Sequence, residues 1–200
     1  MNMKIKLDED TSVDLGSQDV KTVLIVGETG TGKSTLAEDT YFQLKSKLTP
    51  QELRFIILDM TRIEFIKWKN SPYLLSPVIY KTQDAFEAFE MALNSLDQNK
   101  LTVIHIEECD MVIEDQARFE QLWHKANNSD NVLVVFSTSR PANNVLTNHI
   151  LDDADLKIAF KLSSSEQSKR VLGFAGAEKL KSSREKIITL RNQVIHYENN

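Results

Sequence analysis

A run from Thr22 to Leu36, TVLIVGETGTGKSTL, limits what this chain can fold into more than any other stretch. It opens with consecutive apolar residues, which are typical of a short buried strand. The residues from Gly27 to Ser34 then match G-x-x-x-x-G-K-[ST] at every fixed position. Apolar residues recur at helical spacing from Leu36 to Leu48. Because the motif lies between a predicted strand and a predicted helix, the sequence predicts a phosphate-binding loop rather than an ordinary glycine-rich turn.

The residue types of this loop suit a nucleoside triphosphate. Glycines let the backbone turn tightly, so that its N–H groups face phosphate oxygens. The N-terminal end of the following helix adds positive potential. Lys33 is placed to reach the β- and γ-phosphates, Ser34 to ligate Mg²⁺ and Thr35 to contact the α-phosphate. The residues that we expect to bind the nucleotide are Gly27, Glu28, Thr29, Gly30, Thr31, Gly32, Lys33, Ser34 and Thr35.

The composition indicates an ordinary soluble globular protein. Of the 200 residues, 41% are hydrophobic and 26% are charged, and a chain of this length can bury a proper core. The net charge of −5 argues against a protein that coats nucleic acid non-specifically, although it allows a local basic surface. The single cysteine, Cys109, excludes an intramolecular disulfide, and no transmembrane run or signal-peptide core is visible. We expect a cytoplasmic protein with one domain over residues 1–200.

Predicted strands alternate with predicted helices along the chain. Strands are predicted at 22–26, 54–59, 78–80, 102–107, 131–138 and 156–162. Helices are predicted at 34–47, 82–96 and 115–126, and a further one follows the serines at 163–165 and ends at Gly173. This order predicts an α/β fold with a mainly parallel central sheet and flanking helices. A short β lead-in within residues 1–20 and a C-terminal β-hairpin at 186–197 complete the prediction.

Two adjacent carboxylates follow one of the predicted buried strands. The segment VIHIEE places Glu107 and Glu108 at the carboxyl end of strand 102–107. A P-loop enzyme needs an acidic residue at such a strand end to hold Mg²⁺ through water. We expect Glu107 to hold the metal shell and Glu108 to polarise the attacking water, a pair that favours hydrolysis over binding alone. The alternative, a solvated acidic turn, is less favoured because an intact P-loop lies upstream.

Polar residues also end two other predicted strands. Asp59 ends strand 54–59, at the edge where ligands collect in open α/β sheets. Ser137, Thr138 and Ser139 end the most apolar strand of the chain. A polar residue at that place commonly contacts the γ-phosphate or the attacking water, but ordinary strand-end polarity explains these residues equally well.

The order of several segments resembles the motor domain of the FtsK/SpoIIIE/HerA group of DNA-pumping ATPases. In chain order the segments are GETGTGKST, FIILD, PYLLSPVIYKTQDAFEAFEMAL, IHIEECD, VLVVFSTSRP and LKIAFKLSSSEQSKRVLGFAGAEKL. The resemblance covers roughly residues 20–180. Its most specific parts are residues 72–85, 138–141 and 158–180, and the last of these is far more diagnostic than the P-loop itself.

The resemblance implies a RecA-like P-loop NTPase fold of the ASCE type, ATP with Mg²⁺, and hexameric rings that thread double-stranded DNA. Carried over by position, Gly27 to Thr35 bind the nucleotide, and Ser34 and Glu107 hold the metal. Glu108, Lys33 and Ser139 are the catalytic residues, with Ser139 at the sensor position before Arg-Pro.

Ring ATPases usually complete each site with an arginine from the neighbouring subunit. Arg118, Arg140, Arg170 and Arg184 are candidates, of which Arg140 and Arg170 lie in the resembling segments. Phosphate contacts to DNA carry no sequence information. The basic residues that could make such contacts are Lys67, Lys69, Lys157, Lys161, Lys169 and Arg170.

Two positions depart from the pattern of the group. Glu107 replaces the usual aspartate and is one methylene longer, and Ser139 replaces the usual glutamine and is shorter. We therefore expect slow hydrolysis or a shifted metal, and a water between Ser139 and its target. The membrane region and winged-helix module of the group have no counterpart here, so we expect a bare motor.

Three functions are compatible with this pattern. The first is an oligomeric ATPase that moves double-stranded DNA. The second keeps the fold but energises protein secretion or conjugative coupling, with a membrane or DNA-binding protein as recruiting partner. The third is a nucleotide-binding regulatory subunit with weak hydrolysis, which the departures at Glu107 and Ser139 support.

Overall fold

Strands and helices alternate over most of the chain. A computed structural model describes residues 3–15, 20–109, 115–141, 146–181 and 185–197. Its strands are β1 (Lys4–Lys6), β2 (Ser12–Asp14), β3 (Thr22–Val26), β4 (Leu53–Asp59), β5 (Leu101–Glu107), β6 (Val132–Thr138), β7 (Leu156–Ala159), β8 (Ile187–Leu190) and β9 (Gln193–Tyr197). Its α-helices are α1 (Lys33–Lys47), α2 (Thr82–Asn94), α3 (Gln116–Asn127), α4 (Asn148–Asp153) and α5 (Ser165–Leu172). No helix among the described residues is both long enough and apolar enough to cross a membrane.

A seven-stranded sheet in the order β4-β5-β6-β3-β7-β8-β9 forms the centre of the fold. Strands β3 to β7 pair in parallel, and β8 and β9 pair antiparallel as a C-terminal hairpin. The strand that precedes the glycine-rich loop, β3, therefore lies between β6 and β7, and β6 separates it from β5. Because parallel strands end at the same edge, the ends of β3, β5 and β6 meet there.

The strands of the central sheet are continuously apolar because other elements cover both faces of the sheet. Leu24 and Val26 of β3 pack in one buried cluster, with side chains of α2, α3, α4 and α5. Val23 and Ile25 pack in the other, with α1 and the small β1–β2 hairpin. A strand whose side chains are buried on both sides cannot show the polar alternation of a half-exposed strand.

The α/β class, the mainly parallel sheet and the C-terminal hairpin are confirmed, and two strand predictions are wrong in extent. β7 ends at Ala159 rather than at residue 162, because the Lys161 carbonyl accepts a hydrogen bond from Glu28 N–H at 2.9 Å instead of continuing the ladder. Residues 78–80 contribute only an isolated bridge, between Leu58 and Ile79. The single-domain organisation stays a prediction.

Candidate active site

The glycine-rich loop after β3 is bonded to both neighbouring strands. Gly27 N–H donates to Thr138 O at 3.3 Å, at the end of β6, and Glu28 N–H donates to Lys161 O just past β7. A Cβ placed on Gly27 would lie 2.7 Å from the Cβ of Phe160, which is closer than two carbon atoms can pack. Glycine is therefore required where this loop passes the segment that follows β7.

Helix α1 begins without a side-chain cap. Gly32 precedes its first turn in the left-handed region, with φ of 103°, and no side chain in the described part of the chain caps this helix end. Helices α3, α4 and α5 each begin with a side-chain cap, from Asp115, Thr147 and Ser164, whereas α2 also begins without one. The first amides of α1 are thus available to an anion, as in phosphate sites at helix N-termini.

The Lys33 side chain lies inside the loop. It is 5% exposed, and its Nζ donates to Gly27 O at 3.0 Å and to Glu28 O at 3.4 Å. The Thr31 hydroxyl also donates to Glu28 O, at 2.7 Å. The loop therefore folds around a buried ammonium group, as a phosphate-binding loop requires.

Glu107, at the end of β5, meets the loop from the neighbouring part of the sheet edge. Its Oε1 accepts a hydrogen bond from the Ser34 hydroxyl at 2.9 Å, and its Oε2 lies 2.8 Å from His105 Nε2. Burial acts to raise the pKa of Glu107, but hydrogen bonds from His105, Ser137 and Ser34 and the charge of His105 outweigh it and lower the pKa. The carboxylate is therefore ionised at neutral pH, with one oxygen directed at the loop.

Glu108 points in a different direction because its backbone has φ of 49°, which breaks the alternation of the strand. Its Oε1 lies 3.7 Å from Lys33 Nζ. Its Oε2 accepts from the N–H and the hydroxyl of Ser139, at 2.8 and 3.1 Å. The Ser139 hydroxyl thus bonds Glu108 directly, and a water between Ser139 and the γ-phosphate or attacking water stays a prediction.

These groups line one cleft of about 510 Å³. Most of the residues predicted for the site contribute to its walls, and Gly27, Glu28 and Thr31 lie behind them and shape the loop. The cleft also includes three residues that the sequence analysis missed, all from the loop after β4. The lining residues are Thr29, Gly30, Gly32, Lys33, Ser34, Thr35, Thr61, Ile63, Glu64, Glu107, Glu108, Ser139 and Arg140.

The loop after β4 is held by Asp59, which the sequence predicts to lie where ligands collect. Asp59 is fully buried, and its Oδ1 accepts from the N–H and hydroxyl of Thr61 and from Arg62 N–H, while its Oδ2 accepts from Phe65 N–H at 3.1 Å. This loop carries Glu64 to the cleft, where burial and the nearby charge of Glu107 raise the pKa of Glu64. The sequence signal for this loop is a polar residue at a strand end, Asp59, followed by a short irregular segment.

Asp59→Ala is expected to lower the free energy of unfolding by about 2–4 kcal/mol, because the loop loses several charge-assisted hydrogen bonds. Urea unfolding followed by circular dichroism measures this change. Asp130→Ala is the matched control, since that side chain is 82% exposed. A loss of less than about 1 kcal/mol relative to the control would show that Asp59 does not anchor the loop.

The arginines suggested for a neighbouring subunit's site lie in different places. Arg140 is exposed and lines the cleft of its own chain. The Arg170 guanidinium donates to the Leu146 carbonyl, beside a separate cleft. Arg118 pairs with Glu90, at 3.4 Å. Arg184 lies outside the described residues, and a role of any arginine in trans stays a prediction.

One of the suggested DNA contacts is wrong. Lys157 is 5% exposed, and its Nζ donates to Asn192 at 2.8 Å, so it cannot meet a phosphate on the surface. Burial also lowers the pKa of Lys157. The other lysines suggested for DNA are exposed, and they are Lys67, Lys69, Lys161 and Lys169.

Ser34 and Glu107 together fit a magnesium ion in chemistry. Hydroxyl and carboxylate oxygens are the ligands that this hard cation takes, usually with water and substrate phosphates completing its shell. Ser34 Oγ and Glu107 Oε1 are 2.9 Å apart at the floor of the cleft. Within the described ranges no group of three or more His, Cys, Asp or Glu side chains forms an all-protein metal site.

The sequence matches a known protein family over most of its length. The FtsK/SpoIIIE family matches residues 2–193. The DNA translocase FtsK of Borreliella burgdorferi is 26% identical over 191 residues, which cover 79% of this chain and 24% of that protein. The chain thus spans about a quarter of the length of this curated relative.

Solved structures of other proteins share the fold. The pCW3 conjugation coupling protein TcpA, in its monomer form with ATPγS, has a TM-score of 0.76 at 16% identity, over 94% of this chain and 62% of TcpA. The cytoplasmic domain of the Type VII secretion ATPase EccC from Thermomonospora curvata has a TM-score of 0.73 at 17% identity, over 94% of this chain and 27% of that one. The chain therefore belongs to the FtsK/SpoIIIE family, and its fold is that of a P-loop ATPase.

Proposed function

We propose that this chain is an ATP-hydrolysing motor that moves double-stranded DNA as an oligomeric ring. One observation carries the catalytic part of the proposal, namely that two adjacent carboxylates meet the P-loop. Ser34 Oγ lies 2.9 Å from Glu107 Oε1, and Lys33 Nζ lies 3.7 Å from Glu108 Oε1. A loop alone supports nucleotide binding, whereas a carboxylate beside the γ-phosphate position supports hydrolysis.

The chemistry follows from the positions of these side chains. The loop amides and Lys33 would hold the β- and γ-phosphates, and Ser34 and Glu107 would hold Mg²⁺. Bound magnesium neutralises charge on the phosphate oxygens. Glu108 accepts a proton from the attacking water through one oxygen while Ser139 holds the other. Ser139 thus orients the carboxylate rather than contacting the water itself.

Position 107 carries glutamate where the group usually has aspartate. This glutamate still contacts the P-loop, so the carboxylates and the loop form one site. The Glu107 carboxylate lies within direct hydrogen-bonding distance of Ser34, at 2.9 Å. A direct contact supports metal binding by this pair, with water or phosphate oxygens in the remaining positions. The geometry therefore supports turnover as well as binding.

Double-stranded DNA as cargo rests on the relatives and on exposed basic residues. The curated relative described above is named a DNA translocase. Exposed lysines such as Lys67, Lys69 and Lys161 offer contacts to phosphate. We propose a hexameric ring in the cytoplasm, with Arg140 or Arg170 completing a neighbour's site and a membrane or DNA-binding protein recruiting the motor.

Two other functions have specific support. The likeness to TcpA and EccC favours conjugative coupling or protein secretion as the work done by the same motor. The departures at Glu107 and Ser139 favour a regulatory subunit that binds ATP and hydrolyses it slowly.

Phosphate release with ATP and Mg²⁺, measured with and without linear duplex DNA, distinguishes these functions. We expect release that duplex DNA stimulates and single-stranded DNA does not. Mass measurement in ATP should show a ring of several 22.8 kDa chains. Unstimulated release together with recovery of a membrane partner would favour secretion or coupling. Tight ATP binding without release, in rings with DNA present, would favour the regulatory subunit.

A further inference from the structure

A buried row of hydrogen-bonding groups lies behind Glu107, on the side away from the cleft. The Tyr41 hydroxyl, from α1, lies 2.6 Å from His105 Nδ1, and His105 Nε2 lies 2.8 Å from Glu107 Oε2. The other oxygen of Glu107 accepts from Ser34. Tyr41 and His105 are both 0% exposed, so water does not compete for these bonds. The row connects the interior of the protein to the oxygen that faces the P-loop.

The direction of each hydrogen bond follows from the chemistry of the groups. An ionised carboxylate only accepts, so His105 donates to Glu107 through Nε2–H. Nδ1 of a neutral ring then accepts from the Tyr41 hydroxyl, and Nδ1–H of a protonated ring donates to the Tyr41 oxygen, so the second bond forms in either state. Burial, together with the charges of Glu107 and Glu38, raises the pKa of Tyr41 well above its ordinary value, so the hydroxyl keeps its proton. The Tyr41 hydroxyl thereby partners the ring nitrogen of His105 that does not contact Glu107.

Aromatic packing holds this pair in place. The Tyr41 ring lies 5.0 Å from Phe55 and 5.9 Å from Trp68 between centroids. The His105 ring lies 4.6 Å from Phe65. Neither ring can turn without displacing neighbours in a close-packed core. The pair is therefore a rigid support for the side chain that it contacts.

We propose that Tyr41 and His105 are positioning residues that hold Glu107 with Oε1 facing Ser34 and so set the affinity of the nucleotide site for Mg²⁺. Glutamate has one more rotatable bond than the aspartate usual at this place, so more conformations must be excluded to form the same contact. The hydrogen bond between His105 Nε2 and Glu107 Oε2 excludes these other conformations. Partners of this kind behind a metal ligand fix its orientation. The inference rests on the nucleotide site proposed above.

The test is a titration of MgCl₂ in which binding of a fluorescent, non-hydrolysable ATP analogue is measured. His105→Leu removes both hydrogen bonds and should raise the half-saturating Mg²⁺ concentration by about tenfold. Tyr41→Phe should raise it by a smaller factor in the same direction. His105→Gln, which keeps a donor and an acceptor, should lie closer to the unaltered chain than His105→Leu. Analogue affinity in EDTA should be the same for all of them.

Tyr73→Phe is the matched control, because the Tyr73 hydroxyl donates to Leu48 O at 3.0 Å, outside the cleft. His105→Leu can unfold the chain, so Tyr41→Phe, which removes a single oxygen atom, decides the outcome. Equal half-saturating Mg²⁺ for Tyr41→Phe and Tyr73→Phe would overturn the inference and leave the nucleotide site standing. A loss of analogue binding in EDTA by Tyr41→Phe alone would also overturn it. Failure of the unaltered chain to bind the analogue would overturn the proposed function as well.

Discussion

Glu108→Gln is expected to leave ATP binding intact and to reduce phosphate release by a factor of about 10² or more, as is typical when a positioned general base is lost. The amide has the shape of the carboxylate, and its oxygen can still accept from Ser139. It cannot take a proton from water at neutral pH. Single-turnover phosphate release and equilibrium binding of ATP, measured on the same preparation, separate the two effects.

Glu90→Gln is the matched control for this prediction. Glu90 is exposed and pairs with Arg118 on the surface, away from the cleft. The control should release phosphate at the rate of the unaltered chain. Phosphate release by Glu108→Gln within a few-fold of the control would remove Glu108 from the proposed chemistry.

Lys33→Ala is expected to weaken ATP binding by a factor of about 10²–10³, equivalent to roughly 3–4 kcal/mol from two charge-assisted hydrogen bonds to phosphate. The ammonium group lies inside the loop and adjacent to Glu108, and among the described residues Arg140, past the end of β6, is the one other cationic side chain that lines the cleft. Isothermal titration with ATP and Mg²⁺ measures the loss directly.

The control for the lysine change lies on the same helix. Lys47 is exposed at the end of α1, and Lys47→Ala should bind ATP as the unaltered chain does. Lys33→Met, which keeps the aliphatic stem, distinguishes loss of charge from collapse of the loop. ATP affinity within threefold of the control for both Lys33 variants would contradict the assigned phosphate site.

The parts of the site that the sequence predicted depend on short-range patterns. The loop from Gly27 to Ser34 is one continuous motif, and its flanking strand and helix have clear periodicity. Glu107 and Glu108 are predictable because they lie at the carboxyl end of a predicted buried strand. In a parallel sheet every strand end lies at the same edge, so alternation of strands and helices was sufficient to bring the loop and the carboxylates together.

The parts that the sequence did not predict depend on contacts between distant residues. Tyr41 and His105 each looked like a core position, and their bond joins residues 64 positions apart. Asp59 looked like a ligand group, because nothing local shows that four donors of the following loop converge on it. β7 likewise ends early because the Lys161 carbonyl accepts a hydrogen bond from Glu28 N–H of the P-loop.

The close approach of Gly27 to Phe160 limits how the P-loop can move. Glu28 is bonded to the next carbonyl, that of Lys161, so the loop and this segment are fastened at two successive points. The P-loop and the segment after β7 are in close-packed contact. The loop therefore cannot shift toward this segment unless the segment shifts as well. The P-loop therefore contacts the half of the sheet that ends in the β8–β9 hairpin directly, through the segment that follows β7.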